Sequence, residues 1–447
     1  MLETKSVLIV GGGVAGIQAA LDLADRGLQV YLVEESPSIG GKMAQLDKTF
    51  PTMDCSICIL APKMVECFRH LNIKLFVYSE LKKVKGSAGN FTVTILRKPK
   101  YVDETKCNAC GECAKSCPVQ VPSEFNAAFE PRKAIYMPFP QAVPSVYVVD
   151  EKSCLGLSPL ICGKCTEACE PRAIVPGEKP EEMELKVGAI IVATGFEEYN
   201  PSNIDEYGYG VYDNVITALE FERLICASGP LGGHLKRPFD LKEPHRIAFI
   251  QCVGSRSSKS GNPYCSAVCC MYATKEAVLI KEHHPEAQVH ILYNELKAFG
   301  KGFNEFVTRA RSEYGVEYHR GRPSEIRENP ITRNLKIKYE DTLEQRVKFL
   351  EVDMVILCSA LIPSSKNTTL AQALGIETDE HGFFKVRDPL LAPVDTQVEG
   401  IFVCGYSQSP KDIPEVVAQA SGAAARAAEA IAIATRQKVS ACEFPQN

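Results

Sequence analysis

Four cysteines, Cys107, Cys110, Cys113 and Cys117, stand in the stretch KCNACGECAKSCPV with Pro118 directly behind them. This C-x2-C-x2-C-x3-C-P spacing is that of bacterial ferredoxin segments, whose thiolates bind [4Fe-4S] clusters and whose fourth cysteine serves the neighbouring cluster. A second set, Cys154, Cys162, Cys165 and Cys169, follows in SCLGLSPLICGKCTEACEP. It departs from the pattern in two places: seven residues separate Cys154 from Cys162, and the proline comes one residue late, at Pro171. An extra loop there removes no ligand. A two-cluster arrangement therefore assigns Cys107, Cys110, Cys113 and Cys169 to one cluster and Cys154, Cys162, Cys165 and Cys117 to the other. Four thiolates also suit zinc, but the x2-x2-x3-P spacing favours iron and sulfide.

A third group lies further on. Cys252 opens CVGSR, and Cys265, Cys269 and Cys270 fall within NPYCSAVCCMYATK. These residues separate a strand, HRIAFIQ, from a helix, AVCCMYATKEAVLIKEHH, which leads to another strand, QVHILYN. A strand, loop and helix in that order is the place where a nucleotide-binding unit carries its phosphate-cradling glycines. Here thiols stand instead, at a helix N-terminus whose dipole favours their negative charge. A further [4Fe-4S] cluster is the functional reading, and buried structural thiols are the alternative.

The clearest positioning element is at the N-terminus. The strand Ser6 to Val10 runs into GGGVAG, which gives Gly11, Gly13 and Gly16 the G-x-G-x-x-G spacing, with Val14 and Ala15 between them. A helix and a second strand follow, the latter ending in Glu34 and Glu35. The complete order of strand, glycines, helix, strand and acid marks a dinucleotide site. The first glycine permits the turn, the second lets the backbone approach a pyrophosphate, and the third lets helix and strand pack closely. Glu34 is placed for an adenosine ribose hydroxyl. Gly40-Gly41-Lys42, the strand ending in Ala193-Thr194-Gly195, and a final strand and Ala-rich helix from Gly400 fit flavoproteins of the glutathione reductase kind. FAD is therefore expected. That kind usually has Gly-Asp after the last strand, where this chain has Cys404-Gly405-Tyr406. The ribitol contact is then expected from Asp412, beside Ile413.

The 447 residues suffice for about three domains, and 45% hydrophobic residues suit packed cores. Fifty basic against 55 acidic residues advertise no nucleic-acid partner. No run of 18 or more apolar residues suggests a membrane span. The start, MLETKSVLIVGGG, lacks the pattern of a signal peptide. Nineteen cysteines in a large chain of this type point to metal and redox chemistry in the cytoplasm. The histidines form no recognisable metal spacing. Cys226, Cys358, Cys404 and Cys442 read as structural.

The expected fold is α/β, with two Rossmann-like domains of the glutathione or thioredoxin reductase type and an inserted two-cluster ferredoxin-like α+β domain. The expected boundaries are 1–98, 184–240 and 359–447 for the FAD domain, 99–183 for the insert, and 241–358 for the second Rossmann-like domain.

The segments CVGSR, YCSAVCCMYATKEA, DCSICILAPKM and KAIYMPFPQAVP together resemble the A-type flavin and iron–sulfur component of heterodisulfide reductase (HdrA-like), from about Ser6 to Ile431. The resemblance implies an FAD- and [4Fe-4S]-containing electron-transfer subunit of an anaerobe's complex. It would relay or bifurcate electrons between partner subunits, and three clusters are expected. The iron–sulfur and catalytic subunits, ferredoxin, a hydrogenase or flavin oxidoreductase module and a second copy of the chain are candidate partners. The cluster on Cys252, Cys265, Cys269 and Cys270 is implied to lie beside the flavin, and Lys275 close to its N5. Taken alone, Lys275 reads as a solvated helix lysine. Larger members carry further N-terminal and C-terminal domains that this sequence does not include, so electron paths through those parts are not expected within it. Cys55 and Cys58 sit where disulfide reductases keep a redox pair. They read equally as a dithiol couple, as ligands of a shared cluster with Cys67 as a third ligand, or as inert thiols. The alternative function is a self-contained NAD(P)H-dependent FAD reductase of disulfides or small molecules using that pair.

Overall fold

A computed structural model describes residues 5–157 and 162–443, with side chains in the last helix up to residue 436. Residues 158–161, within the long spacing between Cys154 and Cys162, lie outside the described residues. So do residues 1–4, on which the signal-peptide reading partly rests, and the side chain of Cys442. The chain divides into two compact units, one of residues 1–44, 59–196 and 363–447 and the other of residues 45–58 and 197–362.

The first unit is built on a parallel sheet of Ile401–Val403, Ala189–Val192, Ser6–Val10, Gln29–Val33 and Ile73–Phe76, in that spatial order. Its strands read as apolar runs because both faces are covered, one by the helices Val14–Ala24 and Ile413–Glu443 and the other largely by an antiparallel sheet. Ser6–Val10 and Ala189–Val192 are buried throughout. From Ser6–Val10 the chain adds one neighbour to one side and returns later to add Ala189–Val192 on the other. That reversal leaves a crevice at the C-terminal end of Ser6–Val10, the usual ligand position of a doubly wound sheet. An antiparallel sheet of Glu181–Val187, Asn90–Arg97 and Ser79–Ser87 adds Phe91, Val93 and Ile95 to the same core.

The insert belongs to this unit and repeats one local pattern. The N–H of Cys107 donates to the carbonyl of Asp103, whose own N–H donates to Ala173. In the second half the N–H of Cys154 donates to Asp150, whose N–H donates to Ala134. Short helices follow at Glu112–Ser116 and Lys164–Glu167. This duplicated frame places each cysteine run beside the other half's last cysteine, around a small core that includes Cys113, Ile135, Val149 and Ala173.

The second unit repeats the doubly wound plan with Val215–Thr217, Met354–Ser359, Arg246–Val253, Gln288–Tyr293 and Glu317–Arg320. An antiparallel sheet of Pro323–Glu328, Leu335–Asp341 and Arg346–Val352 packs on it through Ile337, Tyr339 and Val352. Here Arg246–Val253 is the central strand from which the order reverses. Residues 197–240, expected with the FAD domain, group with this unit because Val215–Thr217 pairs with Val355–Leu357. Residues 45–58 join it as well.

Candidate functional site

In the first unit the reversal crevice is lined by backbone. Gly11 has φ +109, and a Cβ there would lie 2.3 Å from the Ala193 carbonyl oxygen. A Cβ on Gly16 would lie 1.8 Å from the carbonyl oxygen of Gly11, so helix Val14–Ala24 can pack this closely only with glycine. Gly13 differs: its φ is −75 and a Cβ would meet nothing nearer than the Gly41 Cα at 4.0 Å. Nothing in the protein requires glycine at Gly13, which leaves room for a group approaching the helix N-terminus, as a pyrophosphate does. Val14 and Ala15 form the first turn above it. The Glu34 carboxylate accepts from the N–H of Gly12 at 2.6 Å and from Ser36, which fixes it at the crevice rim.

Glu35 is turned away, onto Lys98 at 3.4 Å and onto Lys366. Lys42 is half-buried on the turn Gly41–Gln45. The Thr194 hydroxyl donates to Asn367 at 3.1 Å, and Gly195 follows with φ +71. Gly405 packs against Ala15, where its own Cβ would stand 3.0 Å from that of Ala15. Asp412 accepts from the N–H of Glu415 and Glu415 from that of Asp412, a reciprocal cap on the helix that begins at Ile413. One oxygen of the expected ribitol ligand is thus committed to capping. The sequence reading missed Lys411, whose ammonium donates to the Gly405 carbonyl and to Ser409. Burial pulls its pKa down to about 8.

In the insert Cys107, Cys110, Cys113 and Cys169 line one cavity together with Tyr147 and Ile174. This is the crossed set, with Cys169 arriving from the second half. Burial pushes the Cys113 thiol up to about 12, and Cys107, Cys169 and Cys110 would repel its charge further. Burial raises the Cys165 thiol, and charge on the neighbouring Cys154 or Cys117 would raise it further. Four thiolates held this close need a cationic core between them, which iron supplies. Cys162 adjoins the undescribed residues and is half-buried.

In the second unit the loop after Arg246–Val253 is heavily constrained. Cys252, Arg256 and Ala267 adopt φ of +59, +54 and +65. Non-glycine residues in the left-handed region persist where the surroundings over-determine them, commonly at functional sites. Cys269 and Cys270 open the helix Cys269–His283. Gln251 donates to the Cys269 carbonyl at 3.3 Å, fixing that end. Burial raises the Cys269 thiol, charge on the neighbouring Cys270, Cys252 or Cys265 would raise it further, and burial pushes Cys270 up to about 11. The four cysteines thus converge at the reversal crevice of this sheet, where a nucleotide-binding unit would present glycines.

Lys275 is not a surface lysine. It is 1% exposed and paired with Glu222, with Glu276 at 3.8 Å. Burial alone would lower its pKa, but Glu222, Glu276 and Asp47 outweigh it and hold the ammonium above its ordinary range. Glu222 also accepts from the N–H of Asp47 at 2.9 Å. Neither Glu222 nor Asp47 carried a signal in the sequence, because the pair spans 53 residues. Cys55 and Cys58 form a disulfide, with Cα atoms 5.3 Å apart, at the start of helix Ser56–Arg69. Cys67 is buried, and burial pushes its thiol up to about 12.

Residues 160–424 match the pyridine nucleotide-disulphide oxidoreductase family, residues 6–55 match FAD dependent oxidoreductases, and residues 100–122 match a 4Fe-4S binding domain. The A-type iron–sulfur component of the CoB–CoM heterodisulfide reductase of Methanocaldococcus jannaschii is 55% identical over 420 residues, covering 94% of this chain and 63% of its own length. One of the corresponding A-type components of Methanopyrus kandleri is 55% identical over 429 residues, covering 96% and 65%. The chain thus spans a little under two thirds of these relatives. Thioredoxin reductase from T. acidophilum shares the fold at 14% identity with a TM-score of 0.52, over 96% of this chain and 99% of that one. The glycine crevice fits FAD, the cavity of four cysteines fits an iron–sulfur cluster, and the matched segments name both cofactors. The chain belongs to the pyridine nucleotide-disulphide oxidoreductase family, as an FAD and iron–sulfur oxidoreductase similar along almost its whole length to the A-type iron–sulfur component of heterodisulfide reductase.

Proposed function

We propose that this chain is the electron-transfer subunit of a heterodisulfide reductase-like complex, relaying or bifurcating electrons between partner subunits. FAD would lie over Gly11, Gly13 and Gly16, with Glu34 at the adenosine ribose and Thr194, Gly195 and Gly405 lining the far side. Two [4Fe-4S] clusters would be held by Cys107, Cys110, Cys113 and Cys169 and by Cys154, Cys162, Cys165 and Cys117. Cys252, Cys265, Cys269 and Cys270 would hold a third. When bound, FAD exchanges electrons in pairs or singly and the clusters pass them singly. The protein's part is to hold these groups in dry, thiol-lined or glycine-lined sites and to set their electrostatics.

The observation that carries this reading is the cysteine loop at the reversal crevice of the second unit. A reductase served by NADH or NADPH needs backbone amides there to cradle a pyrophosphate, and buried thiols offer none. Neither nucleotide, added anaerobically to the purified protein, is expected to bleach the flavin absorbance. Rapid bleaching would instead favour the self-contained reductase, for which the Cys55–Cys58 disulfide is the supporting observation.

The flavin half of the proposal has its own test. Gly13→Ala puts a methyl group where the protein has space and a pyrophosphate needs it. The variant is expected to melt like the parent but to retain at least about tenfold less FAD, since even one such contact is worth over 1 kcal/mol. Unchanged FAD retention would remove the pyrophosphate from Gly13.

A further inference from the structure

His290 lies on the strand Gln288–Tyr293, and Glu317 and His319 lie on the edge strand Glu317–Arg320. The parallel register sets His290 opposite Glu317. Residues two apart on a strand share a face, so Glu317, His319 and His290 meet on one side of the sheet. That side packs on the antiparallel sheet, because Leu292, two residues on from His290, belongs to the core that contains Ile337 and Tyr339.

The three side chains converge on a triangle. His290 Nδ1 is 3.1 Å from His319 Nε2, and Glu317 Oε2 is 3.4 Å from the first nitrogen and 3.5 Å from the second. Ligand atoms 2.0–2.1 Å from a tetrahedral zinc ion stand roughly 3.3 Å apart, so the triangle has the size of one face of that tetrahedron. A hydrogen bond between the two rings would explain the nitrogen separation alone. It does not explain a carboxylate oxygen nearly equidistant from both nitrogens and beyond good hydrogen-bond length. The burial is graded in the way a metal site needs: the His290 and His319 side chains are 6% and 18% exposed, and that of Glu317 is 56% exposed. The imidazoles provide a fixed inner wall and the carboxylate faces water, which leaves a fourth position open to solvent. The Tyr339 hydroxyl lies 3.3 Å from His319 Nδ1 and holds that ring so that its other nitrogen faces the triangle.

We propose that His290, His319 and Glu317 form a binding site for a zinc-class divalent cation, separate from the iron–sulfur sites and completed by a water molecule. Nitrogen and oxygen ligands, with no sulfur, suit zinc or cobalt rather than an iron–sulfur core. A bound ion would tie the edge strand Glu317–Arg320 to its only sheet neighbour among the described residues.

The test uses anaerobically purified holoprotein with its iron in place, equilibrated with zinc chloride and passed through a desalting column. One zinc per chain is expected, with a nitrogen- and oxygen-only shell by zinc K-edge absorption and a raised melting temperature. His319→Gln is expected to lose that zinc while keeping its iron. Glu317→Gln, at an exposed position that a folded chain tolerates, is expected to bind zinc at least about tenfold more weakly, as loss of even outer-shell partners does, with an unchanged melting temperature in zinc-free buffer. Absence of retained zinc, sulfur in the zinc shell, or equal zinc binding by Glu317→Gln would each overturn the proposal.

Discussion

Replacing Cys269 and Cys270 together by alanine is expected to remove about four of roughly twelve iron atoms per chain, with matching acid-labile sulfide, and to leave the insert's clusters in place. The expectation follows from placement. The two thiols open the helix Cys269–His283 and are buried, with Cys252 and Cys265 as companions in the loop and Cys358 nearby on the strand Met354–Ser359. With the pair gone, two of the four proposed ligands remain, too few for a four-iron core. Buried structural thiols predict the opposite, an unchanged iron count and a modest loss of stability from two small cavities. Anaerobic iron analysis separates the two outcomes, and electron paramagnetic resonance of the reduced protein shows which signals survive. A companion variant, Cys169→Ser, addresses the crossed set. Because Cys169 shares a cavity with Cys107, Cys110 and Cys113, it should disturb that cluster and leave the one on Cys154 and Cys165. Loss of the other signal instead would assign Cys169 to its own half.

What the sequence made legible was local. The strand, glycines, helix and acid at Ser6–Glu34 announce a doubly wound FAD unit because every part falls within one supersecondary unit; the parallel sheet bears out the fold, and the match of residues 6–55 to FAD dependent oxidoreductases bears out the cofactor. The ferredoxin motif is similarly compact. The second Rossmann-like unit was readable from its strands even though its glycines are missing. What stayed hidden depends on pairings across long stretches of chain. The strand Val215–Thr217 looks like a continuation of the FAD half until it is seen pairing with Met354–Ser359, more than a hundred residues later. The histidines showed no metal spacing because the triangle is assembled across two strands, with only Glu317 and His319 near each other in sequence. Lys411 gave no signal, since its environment is a folded loop around Gly405 and Ser409.

Lys275 shows the same limit with the largest energetic consequence. On sequence alone it is an ordinary helix lysine, yet its ammonium is sealed beside Glu222, Glu276 and Asp47 in the second unit. Burial and the adjacent Glu222 hold the Glu276 carboxyl well above its usual range despite the lysine, and Glu222 is the lysine's partner in the close ion pair. Lys275→Met keeps the bulk and removes the charge, leaving the Glu222 carboxylate buried without its cation. Breaking one side of a buried pair costs roughly 3–5 kcal/mol, which in a unit of this size lowers the melting temperature by on the order of 10 °C. Adding Glu222→Gln removes the stranded charge and keeps an acceptor for the Asp47 N–H, so the double variant is expected to recover most of the loss. Thermal melts of the parent, both single variants and the double variant form a thermodynamic cycle. Additive losses would mean that the two charges are not coupled. The cycle also isolates any tuning of the flavin by this cation. The double variant differs from Glu222→Gln at residue 275 alone, so a lower flavin midpoint in the double variant than in that single variant reports the missing ammonium. Equal midpoints in those two variants would make the pair a packing element of the second unit and would end the flavin role for Lys275.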